Sequence, residues 1–78
     1  MKKILFVNRD TKTYAFLTAE QALDIMMTES RIYEVSDNIA YLDNDRVIEY
    51  YNDMREFNSR MKGLQGLNYS DITELFND

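Results

Sequence analysis

The sequence predicts an α+β domain: a small antiparallel sheet of three to four strands packed against two helices, in the order ββαββα with a short C-terminal helix. Three observations carry this reading. Two runs rich in apolar and aromatic side chains, residues 4–8 and 13–17, flank a polar stretch. A capping-box pattern then opens a stretch with helical spacing of apolar residues. A second, longer stretch repeats that spacing up to a glycine. With 78 residues the chain has room for one domain, residues 1–78.

Residues 4–8 read as a buried strand, Arg9, Asp10, Thr11 and Lys12 as a turn, and residues 13–17 as the returning strand of an antiparallel hairpin. Thr18 is placed as an N-cap, and Gln21 three positions on completes the box. The helix runs from Ala19 to about Glu29, with Ala19, Ala22, Leu23 and Met26 on one face and Met27 at its edge. Arg31 to Val35 reads as a third strand and Ser36, Asp37 and Asn38 as a turn. Ile39 to Leu42 follows as a fourth strand or an extended segment, ended by Asp43, Asn44 and Asp45.

Residues 46–51 read two ways. Val, Ile and Tyr favour a strand returning from a hairpin. Against that, Val47, Tyr50, Tyr51, Met54, Phe57 and Met61 share one side of a 3.6-residue period. The longer pattern predicts a helix from about Asp45 to Lys62, capped by Asn44 or Asp45 and stopped at Gly63. Ser70 is placed as the cap of a last helix over residues 71–76. Asp71 and Glu74 then lie near its positive end, and Ile72, Leu75 and Phe76 form its apolar side.

Composition narrows the function. The chain has 14 acidic residues against 9 basic ones, a net charge of -5, and no His, Cys, Trp or Pro. A Ser-His-Asp triad, a Cys-His dyad and a histidine general base are therefore impossible, as are a disulfide and a thiolate metal site. Asp43, Asn44 and Asp45 with Glu49 lack the glycine and the spacing of a calcium loop, and no glycine loop bridges a strand to a helix. The expectation is a non-enzyme with no catalytic residues, no metal and no cofactor. The negative charge disfavours direct nucleic-acid binding. The apolar run after Lys3 stops at Asn8, too soon for a signal peptide, and no stretch approaches the roughly 18 apolar residues of a membrane span. The expected setting is the cytoplasm, with a protein partner and no membrane; a homodimer is compatible with the sequence.

On the predicted long helix, Asp45, Glu49, Asp53 and Glu56 fall within a sector of roughly 80°, about 4.5 to 6 Å apart along the axis. Phosphates along a DNA strand recur at a comparable distance. The stripe, with Asp43 beside it, predicts a non-catalytic acidic inhibitor that mimics nucleic acid and blocks a basic cleft of a DNA- or RNA-handling protein. The plainer reading is a solvated helix face, on which like charges at i,i+4 cost a few tenths of a kcal/mol. The string Glu49-Tyr50-Tyr51-Asn52-Asp53-Met54 resembles an acidic helix segment in small phage-encoded inhibitors of CRISPR nucleases. That likeness implies an anti-defence inhibitor as one member of the mimic class. The alternative is a small regulatory adaptor that binds through an apolar patch and its C-terminal helix, with Tyr69, Leu75 and Phe76 as contacts.

Overall fold

A computed structural model describes the chain at residues 3–28, 33–36 and 38–73. Strands β1 (Lys3–Asn8) and β2 (Thr13–Leu17) form the expected hairpin, in a register that pairs Ile4 with Leu17 and Asn8 with Thr13. The Asn8 side chain closes the turn: its Oδ1 accepts from the N–H of Asp10 at 3.0 Å and of Thr11 at 3.1 Å. Lys12 turns the chain back with φ at 57°, in the left-handed region.

Helix α1 (Ala19–Thr28) opens with the reciprocal box. Thr18 Oγ1 accepts from the Gln21 N–H at 3.1 Å, and Gln21 Oε1 accepts from the Thr18 N–H at 2.9 Å. Its buried face differs from the expected one. Ala22 and Ile25 are buried and Met26 packs at their side, whereas Ala19, Leu23 and Met27 are exposed. The two sets differ by a rotation of about 60° on a helical wheel, and both satisfy i,i+3/i,i+4 spacing. Periodicity alone does not choose between them; the docking of α1 on the sheet does.

Strands β3 (Tyr33–Ser36) and β4 (Ile39–Tyr41) pair antiparallel, with Tyr33 opposite Tyr41 and a register shift between Glu34 and Ser36. Residues 31, 32 and 37, read as strand and turn above, lie outside the described residues. The expected long helix from Asp45 to Lys62 is replaced by a strand and a short helix. Strand β5 (Arg46–Tyr51) pairs antiparallel with β4 on one side, Val47 opposite Tyr41, and with β1 on the other, Lys3 opposite Tyr51. Helix α2 (Met54–Arg60) starts only after Asp53, whose Oδ1 accepts from the N–H of Arg55 at 2.8 Å and of Glu56 at 3.4 Å. The segment that resembles an acidic helix is thus divided between the end of β5 and the start of α2.

Gly63 follows α2 with φ at 81°, which suits its expected role as a stop. The next residues form β6 (Gln65–Leu67), parallel to β2, which was not foreseen. Gly66 lies against Tyr14: an added Cβ would meet the Tyr14 Oη at 3.0 Å. Helix α3 (Tyr69–Thr73) begins one residue before the expected cap Ser70, with the Asn68 N–H donating to Asp71 Oδ2 at 3.0 Å. Residues 74–78 lie outside the described residues, so the expected contacts Leu75 and Phe76 do too.

The fold class is α+β as expected, but the sheet is larger. Among the described residues it has six strands in the order β3-β4-β5-β1-β2-β6, antiparallel except for the β2–β6 pair. The helices cover both faces, not one. Ile4, Phe6, Ala15, Leu17, Ala40 and Ile48 face α1 and α3 and pack with Ala22, Ile25 and Ile72. Leu5, Val7 and Val47 face α2 and pack with Phe57. Among the described residues no helix is long and apolar enough to cross a membrane.

Candidate functional site

The four carboxylates of the expected stripe do not share a face. Asp45 and Asp53 flank the two ends of β5, a strand about 20 Å long at its usual rise. On a helix they would have been about 12 Å apart. Asp45 sits in the β4–β5 turn, where its N–H donates to Asp43 Oδ1 at 2.8 Å. The same oxygen accepts from the Arg46 N–H at 2.8 Å, and Arg46 Nε donates to Asp43 Oδ2 at 2.7 Å. Burial raises the Asp43 carboxyl, but the hydrogen bonds from the Asp45 backbone and from Arg46 together outweigh it and hold the group below its ordinary value. Asp53 and Glu56 are exposed at the start of α2, one as its cap and the other in its first turn.

Glu49 points the other way from solvent. It lies on the α2 side of the sheet, two residues from Val47 and from Tyr51, and is only 6% exposed. Its Oε1 accepts from Arg60 Nε at 2.8 Å and from the Tyr51 hydroxyl at 2.8 Å. That bond to Glu49 raises the Arg60 guanidinium above its ordinary value. Desolvation, then the Glu49 carboxylate, pushes the Tyr51 hydroxyl up to about 12. Glu49 therefore fastens α2 to the sheet, beside the contact of Phe57 with Tyr51 at 5.8 Å between ring centroids. Tyr69 is half-buried and packs with the core on the α1 side.

The same face of the sheet carries a feature that the sequence did not announce. Six strands at about 4.8 Å spacing make a sheet roughly 24 Å wide, whereas one helix covers about 10 Å. Helix α2, with seven residues, leaves part of this face open. Phe16, on β2, is 55% exposed although it meets Tyr14 and Phe57 at 5.5 Å and 5.7 Å between ring centroids. Met54, in the first turn of α2, is 49% exposed. Between them lies a cleft of about 510 Å³, lined by Lys3 and Ile4 of β1, Phe16 and Leu17 of β2, Thr18, Ala19 of α1, and Met54 and Phe57 of α2. Among the described residues Lys3 is the one charged side chain lining it. The size falls within the roughly 300 to 1,000 Å³ of ligand clefts.

No protein-family model, curated protein or solved structure matches this chain. Among the described residues no group of three or more acidic side chains is placed to hold a metal ion. No buried side-chain nitrogen or oxygen there lacks a hydrogen-bond partner. Among the described residues four large apolar side chains are exposed: Phe16, Leu23, Met27 and Met54. Leu23 at 56% and Met27 at 77% exposed lie on α1, one turn and two turns beyond the cleft residue Ala19. A signal for Phe16 was present in the sequence: residues 14–17, Tyr-Ala-Phe-Leu, are apolar or aromatic in succession, so both faces of the strand carry such side chains.

Proposed function

We propose that this chain is a non-catalytic protein-binding module of the regulatory-adaptor class, which docks a partner on the apolar cleft between β2 and α2. The observation that carries the reading is the exposure of Phe16 and Met54 on either side of that cleft. Large aromatic and methionine side chains are enriched at the centres of protein interfaces, and half-exposed ones beside a recess gain burial on docking. The chain carries a net charge of -5. In this reading that charge sets solubility and partner preference rather than the contact itself.

The acidic-inhibitor reading keeps that net charge in its support but loses the ladder of carboxylates that motivated it. A DNA- or RNA-handling protein as target, and an anti-defence role, then rest on charge alone. The two readings separate by salt and by substitution. Exposed ion pairs are largely screened at about 0.5 M salt, whereas burial of apolar surface is not weakened by it.

The test is capture of partners from cells that naturally make the protein, at low salt and at about 0.5 M, with the wild type and the double variant Phe16→Ser, Met54→Ser. A partner held by the wild type at both salt concentrations and lost by the double variant supports the cleft. Capture that disappears at high salt, and that the double variant keeps, sinks it in favour of the electrostatic inhibitor. Circular dichroism of the double variant checks its fold, which half-exposed positions should preserve.

A further inference from the structure

We propose that the partner segment seated in the cleft carries a bulky apolar side chain with a carboxylate one or two residues away, and that the carboxylate pairs with Lys3. This rests on the protein-binding reading and adds the chemistry of the partner. The walls are hydrocarbon and aromatic: Ile4, Phe16, Leu17, Met54 and Phe57. They suit a Phe, Leu or Met anchor, and a thioether at Met54 adapts to any of these.

The charge is on Lys3. It pairs with Tyr51 across β1 and β5, so it lies on the same face of the sheet as Leu5 and the α2 layer. It is exposed, and no ion pair joins it to another described residue. An apolar surface closing over the cleft takes water from this ammonium. A partner that offers no acceptor leaves that loss uncompensated, and a basic partner adds repulsion. A carboxylate beside the anchor replaces the lost water. The chain's net charge of -5 works against acidic segments at long range. That field is damped within about 8 Å at physiological salt, so the contact charge decides at close range. The inference is therefore one carboxylate next to an anchor, not a polyacidic tract.

The test is a proton–nitrogen correlation titration of the whole labelled chain with three capped synthetic peptides: Ala-Phe-Leu-Glu, Ala-Phe-Leu-Lys and Ala-Ala-Ala-Glu. Sodium decanoate is a fourth probe. At about 50 mM salt the Glu-containing anchor peptide should shift the amides of residues 16–19 and 54–57. It should bind up to about fivefold tighter than the Lys peptide, the upper end of what an exposed ion pair contributes. The advantage should vanish in Lys3→Met and at about 0.5 M salt, while Ala-Ala-Ala-Glu shifts none of these amides. Equal binding of both anchor peptides overturns the acidic partner and leaves the cleft reading standing. No shift at the cleft with any probe overturns both. Decanoate binding more than tenfold tighter than the peptides assigns the cleft to a free amphiphile and overturns the partner segment. The amide spectrum of Lys3→Met before titration shows whether its fold is unchanged.

Discussion

At the residue scale the chain turns on Glu49. A carboxylate 6% exposed inside a sandwiched sheet is tolerable only because two donors reach it, Arg60 Nε and the Tyr51 hydroxyl, both at 2.8 Å. Removing one partner of such a pair costs more than the pair contributes, since the remaining charge stays buried. Arg60 is itself a third exposed, so water replaces part of what is lost. We expect Arg60→Met to destabilise the fold by about 2 kcal/mol in urea unfolding, and Glu49→Gln in the same background to recover part of that. Tyr51 gives a pH signature. Its hydroxyl titrates near 12 in the fold against 10.0 ordinarily, so the fold favours the neutral form. The stability this contributes is complete below pH 10 and is lost as the pH rises from 10 to about 12. Between those values the wild type should lose more stability than Tyr51→Phe, as measured by urea midpoints across the range.

At the element scale the β1–β2 hairpin and strand β5 show what sequence can and cannot fix. The β1–β2 hairpin was legible to within one residue, β1 starting at Lys3 rather than Ile4, because four polar positions separate two β-rich runs and Thr18 with Gln21 marks the next element. Its strained position is Lys12, at φ 57°. Left-handed backbone costs an L-residue roughly 1 to 2 kcal/mol, and glycine avoids that cost. Lys12→Gly should therefore raise the melting temperature, by an amount equivalent to about 0.5 to 1 kcal/mol once the greater freedom of the unfolded chain is subtracted. Strand β5 carries a helix-like pattern because both of its faces are covered. Val47, Glu49 and Tyr51 face α2 while Ile48 packs with the α1-side core, so the alternation of a half-exposed strand is absent and a helical period fits by accident. A corrective signal was available: Asp53 followed three residues later by Glu56 has the form of a helix start, and Asp53 does cap α2. Strand β6 has three residues, too few for any period to register.

At the scale of the whole molecule, the size of the sheet produces the candidate site. A sheet of three to four strands under two helices would have been covered; six strands under α2 on one side are not. The cleft residues come from β1, β2, α1 and α2, so it assembles only when the layers do, and no local pattern could have placed Lys3 beside Met54. The expected acids fared otherwise. Their spacing in sequence was real, but a strand rises about 3.3 Å per residue where a helix rises 1.5 Å, so Asp45 and Asp53 stand beyond the two ends of β5 while Glu49, within it, turns inward. The claim that follows is that partners meet the aromatic and methionine wall of the cleft rather than the acidic turn. Site-specific photocrosslinking tests this most directly, with a benzophenone side chain placed at position 16 in one variant and at position 45 in another, irradiated in cells that naturally make the protein. The account predicts a discrete partner adduct from position 16 and none from position 45. Adducts from position 45 alone would contradict it and return the acidic surface to the centre of the function.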